Sequence, residues 1–275
     1  MTLFIPDSGI ELEIGGPAAT AMPEYIEENT GVKPHIGLDE RFEHVQGQYQ
    51  ATFSSRGCPR GCKFCLVPKL EGRKMIEYDD FTIPVGANPY VSDNNILATS
   101  PRHQELVVEK LRHVRNLDFN SGFDDRIFSH DPERYWKLYK ETKLEAWRFA
   151  YDVPEQKEEV TACAKFLRGK GVDYRHIIVF CLVGFPGTTF REALGKLDYL
   201  KKIETSPYPM RYRPLDTIDR NTLPPGWQPG QMERLFAYYG NPFVWRSCEW
   251  KDFVWPYTIK EIQKKEVLDR MAGRR

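Results

Sequence analysis

The stretch His176-Ile177-Ile178-Val179-Phe180-Cys181-Leu182-Val183 reads as a strand, with seven apolar residues in a row after the histidine. An unbroken, β-rich apolar run of this length fits a strand covered on both faces, as in a parallel sheet. Five shorter runs extend the pattern outward: Tyr49 to Ser54, Asn88 to Ser92, Leu117 to Asn120, Trp147 to Tyr151 and Tyr208 to Tyr212. Helical signals lie between them. Ser100-Pro101 and Asp131-Pro132 each place a capping residue before a proline at the first helical position. Val107, Leu111 and Val114 recur at helical spacing, as do Val160, Ala164 and Leu167, and Phe190, Leu194 and Leu197. Strands alternating with helices predict βαβ units and a parallel sheet. Only about six such units fit between Tyr49 and Tyr212, short of the ~250 residues of a full eight-fold barrel. The expected architecture is α/β: a partial open (βα)6 TIM-like barrel over residues 48–215. Residues 1–47 form a short N-terminal arm, and residues 216–275 an aromatic-rich C-terminal cap.

Composition sets outer limits. The chain has 275 residues, with 39 Lys+Arg against 39 Asp+Glu. Zero net charge argues against a bulk polyanion binder and leaves room for a local basic patch. At 41% hydrophobic and 28% charged, the composition is that of a folded globular protein. No apolar run approaches a membrane span, and the first residues lack the pattern of a secretory signal, so a cytoplasmic location is expected. Six cysteines are too sparse for a disulfide scaffold. Three of them are packed together.

That cluster is Gly57-Cys58-Pro59-Arg60-Gly61-Cys62-Lys63-Phe64-Cys65. Thiolates favour zinc and iron–sulfur centres. Structural zinc normally takes four ligands, and here a fourth is missing. Three thiolates on a four-iron cluster would leave one iron open, as a catalytic site does. A structural zinc loop or a redox thiol cluster is the alternative.

The C-x3-C-x2-C spacing, with aromatic Phe64 before the third cysteine, resembles the signature of the radical S-adenosylmethionine (radical SAM) superfamily. The resemblance runs from about Tyr49 to Arg213. It implies that Cys58, Cys62 and Cys65 bind a 4Fe-4S cluster whose open iron holds SAM. It further implies reductive cleavage of SAM to a 5′-deoxyadenosyl radical that abstracts hydrogen from a substrate. An external electron donor, flavodoxin- or ferredoxin-like, is then required.

Sites in such barrels gather at the carboxyl ends of strands. Ser92-Asp93-Asn94-Asn95 departs from the family's Gly-Gly-Glu, and Asp93 becomes the candidate for the SAM ammonium; a plain turn is the alternative. Asn120, followed by Ser121-Gly122-Phe123-Asp124-Asp125-Arg126, is a candidate for the SAM ribose or carboxylate. Asp152 suits a ribose hydroxyl or a helix-capping role. Gly184 lets backbone approach a ligand. Arg211 is a candidate for an anionic substrate group or the SAM carboxylate. Phe64 completes the expected SAM contacts.

Other features are less specific. Glu13 to Glu24 resembles the closing part of the cobalamin domain in one radical SAM subgroup. A whole domain cannot fit in the arm and the cobalt-ligand motif is absent, so no cobalamin is expected. Gly15-Gly16-Pro17 reads as a turn ending a strand. Cys163 and Cys181 are expected to pack in the core, whereas Cys248, between Trp245 and Trp250, is a weak candidate hydrogen-atom donor. Ten aromatics fall between Trp227 and Tyr257. They suit a hydrophobic cap or a stacking platform for a planar group. A helix with the basic end Arg274-Arg275 is expected to close the chain. Around the cysteines, Arg56, Arg60, Lys63, Lys69, Arg73 and Lys74 stand against one acid, Glu71. This excess balances a negative cluster or attracts an anionic substrate. Candidate substrates are a nucleic-acid base or nucleotide, or alternatively a peptide or small metabolite. A non-catalytic metal-binding module is the reading from another class.

Overall fold

The computed structural model describes residues 12–39, 41, 49–219 and 222–255. The expected C-terminal helix and Tyr257 lie outside the described residues. The chain divides into two units, residues 1–148 with 213–222 and residues 149–212 with 223–275.

The first unit opens with helices α1 (Pro17–Ala21) and α2 (Pro23–Thr30). Gly15-Gly16-Pro17 was expected to end a strand; instead Gly16, at φ 91°, leads into a helix with Pro17 at its first position. Strand β1 (Ala51–Thr52) is followed by β2 (Ser55–Arg56), helix α3 (Val67–Leu70) and β3 (Ile76–Glu77). Strands β2 and β3 pair antiparallel around the cysteine loop. Next come β4 (Tyr90–Val91), α4 (Pro101–Leu111), β5 (Asp118–Phe119), α5 (Asp125–Phe128) and α6 (Pro132–Tyr139). The sheet order is β1-β4-β5, with both pairings parallel. The capping signals do what the sequence indicates: the Ser100 side chain accepts from His103 N and Asp131 from Arg134 N. Buried Phe119, Phe123, Phe128 and Tyr139 form the centre of this unit's core. Phe123 meets Tyr139 edge to face, with ring centroids 4.9 Å apart. Gly122, at φ 81°, passes so close to the Arg148 carbonyl that a Cβ would lie 2.9 Å from its oxygen.

Strand β6 (Trp147–Ala150) carries the chain into the second unit, followed by α7 (Lys157–Gly169), β7 (Ile177–Val183), α8 (Phe190–Lys202) and β8 (Ser206–Arg211). The sheet order is β6-β7-β8, and β7 and β8 run parallel. Six strands expected from the sequence are therefore present, as two three-stranded sheets. Strand β7 differs from the expectation of burial on both faces. Ile177, Val179, Cys181 and Val183 are buried, while Ile178, Phe180 and Leu182 are half-buried. The apolar run thus alternates in burial although every residue is apolar, because helix α8 packs on the sheet. Thr189 and Glu192 close a capping box at the start of α8. Helices α9 (Gln231–Tyr239) and α10 (Pro242–Ser247) complete the described chain. Tyr238, Tyr239 and Phe253 are fully buried, and Trp250 meets Tyr238 edge to face at 5.3 Å. These aromatic rings pack on one another.

Candidate functional site

The cysteine loop leaves β2 through Gly57, whose φ is 85°. A Cβ there would lie 2.1 Å from the Lys74 carbonyl oxygen, so only glycine fits. Cys58 N donates to Gly72 O at 3.3 Å and Cys65 N to Cys62 O at 3.1 Å. These bonds curl the loop so that all three thiols stay partly exposed and unbridged.

The segment after β4 fixes this loop residue by residue. Buried Asp93 accepts from Ser54 N at 2.6 Å, Ser54 Oγ at 2.5 Å and Ser55 Oγ at 2.8 Å. The carboxylate expected to meet an ammonium is thus committed to tying β4 to the chain between β1 and β2. Burial raises its pKa, against the lowering effect of these bonds. His103 Nε2 lies 3.2 Å from Ser54 Oγ beneath it. Asn94 Nδ2 donates to Glu71 Oε2 at 2.6 Å. Glu71 also accepts from Gly57 N at 2.8 Å and from Arg56 Nη1 at 3.2 Å. Asn95 Nδ2 donates to Cys58 Sγ at 3.7 Å and to Asp124 Oδ2 at 2.9 Å.

Asp124 is the second hub. It caps α5 by accepting from Arg126 N, and it pairs with Arg60 Nε at 2.8 Å and Arg126 Nε at 3.1 Å. Burial would raise its pKa, but Arg60, Arg126 and Asn95 outweigh burial and hold it low. Burial likewise opposes the Arg126 charge. Asp124, with smaller contributions from Asp125 and the Cys62 sulfur, more than offsets that, and the guanidinium titrates above its usual value. Cys65 is raised mainly by burial; the Val67 N–H, 3.4 Å from its sulfur, works the other way, and Cys62 and Cys58 add repulsion.

Two of the thiols therefore have an N–H neighbour, Asn95 Nδ2 for Cys58 and Val67 N for Cys65; Cys62 contributes weakly to the field at Arg126. Among the described residues, no three His, Cys, Asp or Glu side chains gather about a single ion. Iron–sulfur clusters are held by thiolates and tuned by hydrogen bonds to sulfur, which is the donor set found here.

The remaining expected residues are placed as follows. Phe64 is half-buried within the loop, and Asn120 is exposed at the end of β5. These lie in the first unit with the cysteines. Asp152, Gly184, Arg211 and Cys248 belong to the second unit. Asp152 Oδ1 accepts from Leu182 N at 2.8 Å, linking the end of β6 to β7. Asp152 also borders a cavity of about 360 Å³ with Tyr151, Lys157, Thr188, Lys196 and Tyr199. Gly184, at φ 80°, faces Met232 and Pro224, whose side-chain atoms would lie 2.8 and 3.0 Å from a Cβ. Arg211 ends β8 opposite Val183. Cys248 Sγ donates to Val244 O at 3.7 Å. Burial raises its pKa against the pull of Lys201, which keeps it a thiol. Cys163 and Cys181 are fully buried, as expected of packing residues.

Sequence reasoning singled out the cysteines and missed Glu71 and Asp124 as hubs, and Asn95 beside Cys58. Their only local signal was the run of two asparagines after Asp93. No helix among the described residues is long and apolar enough to cross a membrane.

No protein-family model and no curated protein matches the chain. Among solved structures, the chain is similar to a radical S-adenosylmethionine methyltransferase, TsrM, from Kitasatospora setae. The structure with cobalamin and a [4Fe-4S] cluster bound is 14% identical at a TM-score of 0.45, covering 60% of this chain and 36% of that one. The structure with tryptophan substrate and the SAM analog aza-SAM bound is 12% identical at a TM-score of 0.43, covering 61% of this chain and 36% of that one. The match thus spans well under two thirds of those chains.

Proposed function

We propose that the chain is a radical SAM enzyme in which Cys58, Cys62 and Cys65 hold a 4Fe-4S cluster. The observation that supports this most is the C-x3-C-x2-C loop, with an N–H donor beside two of its three sulfurs. When bound, the cluster and SAM supply a 5′-deoxyadenosyl radical that abstracts a hydrogen atom from the substrate. The chain's own residues bind and orient. Glu71 and Asp124 hold the loop's shape, and Asn95 faces the Cys58 sulfur. Phe64 and Asn120 remain proposed SAM contacts in the first unit, and Asp152, Gly184 and Arg211 those in the second. Asp93 serves this reading as a buried anchor of the loop. The six strands are read as a partial open (βα)6 barrel. The same reading includes an external flavodoxin- or ferredoxin-like donor, a cytoplasmic location and no cobalamin.

For the substrate, a nucleic-acid base or nucleotide is one reading, motivated by the basic residues near the loop. A peptide or small metabolite is the other, favoured by zero net charge. Salt-dependent affinity for RNA or DNA separates them. The enzyme reading is tested by anaerobic reconstitution with iron and sulfide. With a reductant, the protein should convert SAM to 5′-deoxyadenosine, and a triple Cys→Ala variant should not. Zinc at one per chain without sulfide would establish the non-catalytic module instead.

A further inference from the structure

The Asn95 side chain is held in an unusual way. The residue is 4% exposed and caps the single turn Ile96–Ala98 with its backbone. Its Nδ2 serves two acceptors, Asp124 Oδ2 and Cys58 Sγ. Its Oδ1 is buried without a hydrogen-bond partner among the described residues. A carboxylate accepts and cannot donate, so Asp124 dictates that the amino end of the amide points toward the sulfur. Asp124 is itself fixed by Arg60, by the Arg126 guanidinium and by the Arg126 backbone N–H in the first turn of α5. An asparagine kept only for stability would satisfy both ends of its amide. This one leaves its oxygen unsatisfied in order to present an N–H to Cys58.

We infer that Asn95, oriented by Asp124, is a positioning residue that sets the reduction potential of the cluster held by Cys58. The inference rests on the cluster reading proposed above. One-electron reduction by an external donor adds negative charge to the cluster and its thiolates. An N–H on a ligand sulfur stabilises that charge and raises the potential. The Asp124 carboxylate acts in the opposite direction through its charge, while aiming the amide. The two residues therefore have opposite signs, a pattern that loss of folding or of loading does not produce.

The test uses the full chain, reconstituted anaerobically, with iron and sulfide assayed first. The reduced cluster is followed by electron paramagnetic resonance through a potentiometric titration. Asn95→Leu keeps the branched shape with somewhat bulkier ends and removes the N–H, and its midpoint potential should fall below wild type at equal iron content. Asp124→Asn removes a negative charge, and its midpoint should rise. An Asn95→Leu protein with a full cluster and an unchanged or higher potential overturns the inference. Should that variant lose its cluster, the wild type decides. Protein labelled with ¹⁵N-asparagine should show a weakly coupled asparagine nitrogen in the hyperfine spectrum of the reduced cluster, and its absence overturns the inference. A wild-type chain that takes up zinc and no sulfide overturns the cluster reading itself, and this inference with it.

Discussion

Replacing Gly57 by alanine tests whether the cysteine loop is held by the contacts described. Two costs add. A non-glycine residue at positive φ costs roughly 1–2 kcal/mol. The new Cβ would also lie 2.1 Å from Lys74 O, and even a 3.0 Å contact requires the two backbones to part by 0.9 Å. Forcing such a shift in packed chain costs about 1–3 kcal/mol. The expected loss is about 2–5 kcal/mol, a large share of the ~5–15 kcal/mol that holds a typical fold together. The separation also pulls on Gly57 N to Glu71 Oε2 and on Cys58 N to Gly72 O, bonds of 2.8 and 3.3 Å. Two neighbouring glycines serve as internal controls. Gly72 shares the positive φ, at 83°, but a Cβ there meets nothing within 4 Å. Gly72→Ala should therefore carry the conformational cost alone, roughly 1–2 kcal/mol. At Gly61 the nearest atom is the Arg73 guanidinium carbon at 3.8 Å and φ is not positive. Gly61→Ala should be neutral or stabilising by about 0.4–1 kcal/mol. Calorimetric melting of the three variants should rank them Gly57 lowest, then Gly72, then Gly61, with about 2–4 °C per kcal/mol. Gly57→Ala melting at or above Gly72→Ala would refute the reasoning, because the Lys74 contact would then cost nothing.

Three further outcomes are expected. Glu71→Ala removes the carboxylate that pairs with Arg56, whose side chain is 13% exposed, and that accepts from Gly57 N and Asn94 Nδ2. Breaking such a buried pair costs roughly 3–5 kcal/mol, and denaturant unfolding together with a lower iron content after reconstitution should register it. Asp93→Asn replaces a carboxylate that accepts from Ser54 N, Ser54 Oγ and Ser55 Oγ by an amide with one acceptor oxygen. The unmatched donor should lower stability by about 1–3 kcal/mol, while Asp93→Ala, which abandons all three donors, should lose more in the same unfolding assay. His103 gives a pH dependence. Burial holds its pKa below the ordinary 6.5, so the fold favours the neutral ring. That stabilisation is present above pH 6.5 and is lost as pH falls through the lower folded value, at up to about 1.4 kcal/mol per pH unit. The melting temperature of wild type should fall over that range more steeply than that of His103→Gln, and parallel curves would remove His103 from the account.

The features that were legible in the sequence are those whose causes lie within a few residues. Ser100, Asp131 and Thr189 cap the helices that follow them, and their partners are three residues away. The strand over Ile177–Val183 is visible because seven apolar residues adjoin. Helix α1 was missed because five residues are too few to show a period, and the β2-β3 pair because each strand has only two residues. The site divides along the same line. The cysteines lie in one loop, but the groups around them come from 14 residues away for Glu71, 37 for Asn95 and 64 for Asp124. That separation alters the charge reading most. Six basic residues against one acid suggested an excess that attracts an anion. In the fold, Arg56 is matched by Glu71, Arg60 by Asp124, and Arg73 donates to Pro59 O at 2.8 Å. Among the described residues, Lys63 and Lys74 meet no carboxylate, and Lys69 Nζ reaches Ala21 O at 3.4 Å. Asp124 is also a fixed negative charge about which two arginines are organised, so much of the apparent excess shapes the loop and balances its sulfurs. The basic-loop motive for a nucleic-acid substrate is weaker by those two charges, and the arginines that supplied it become part of the apparatus that holds the cysteines.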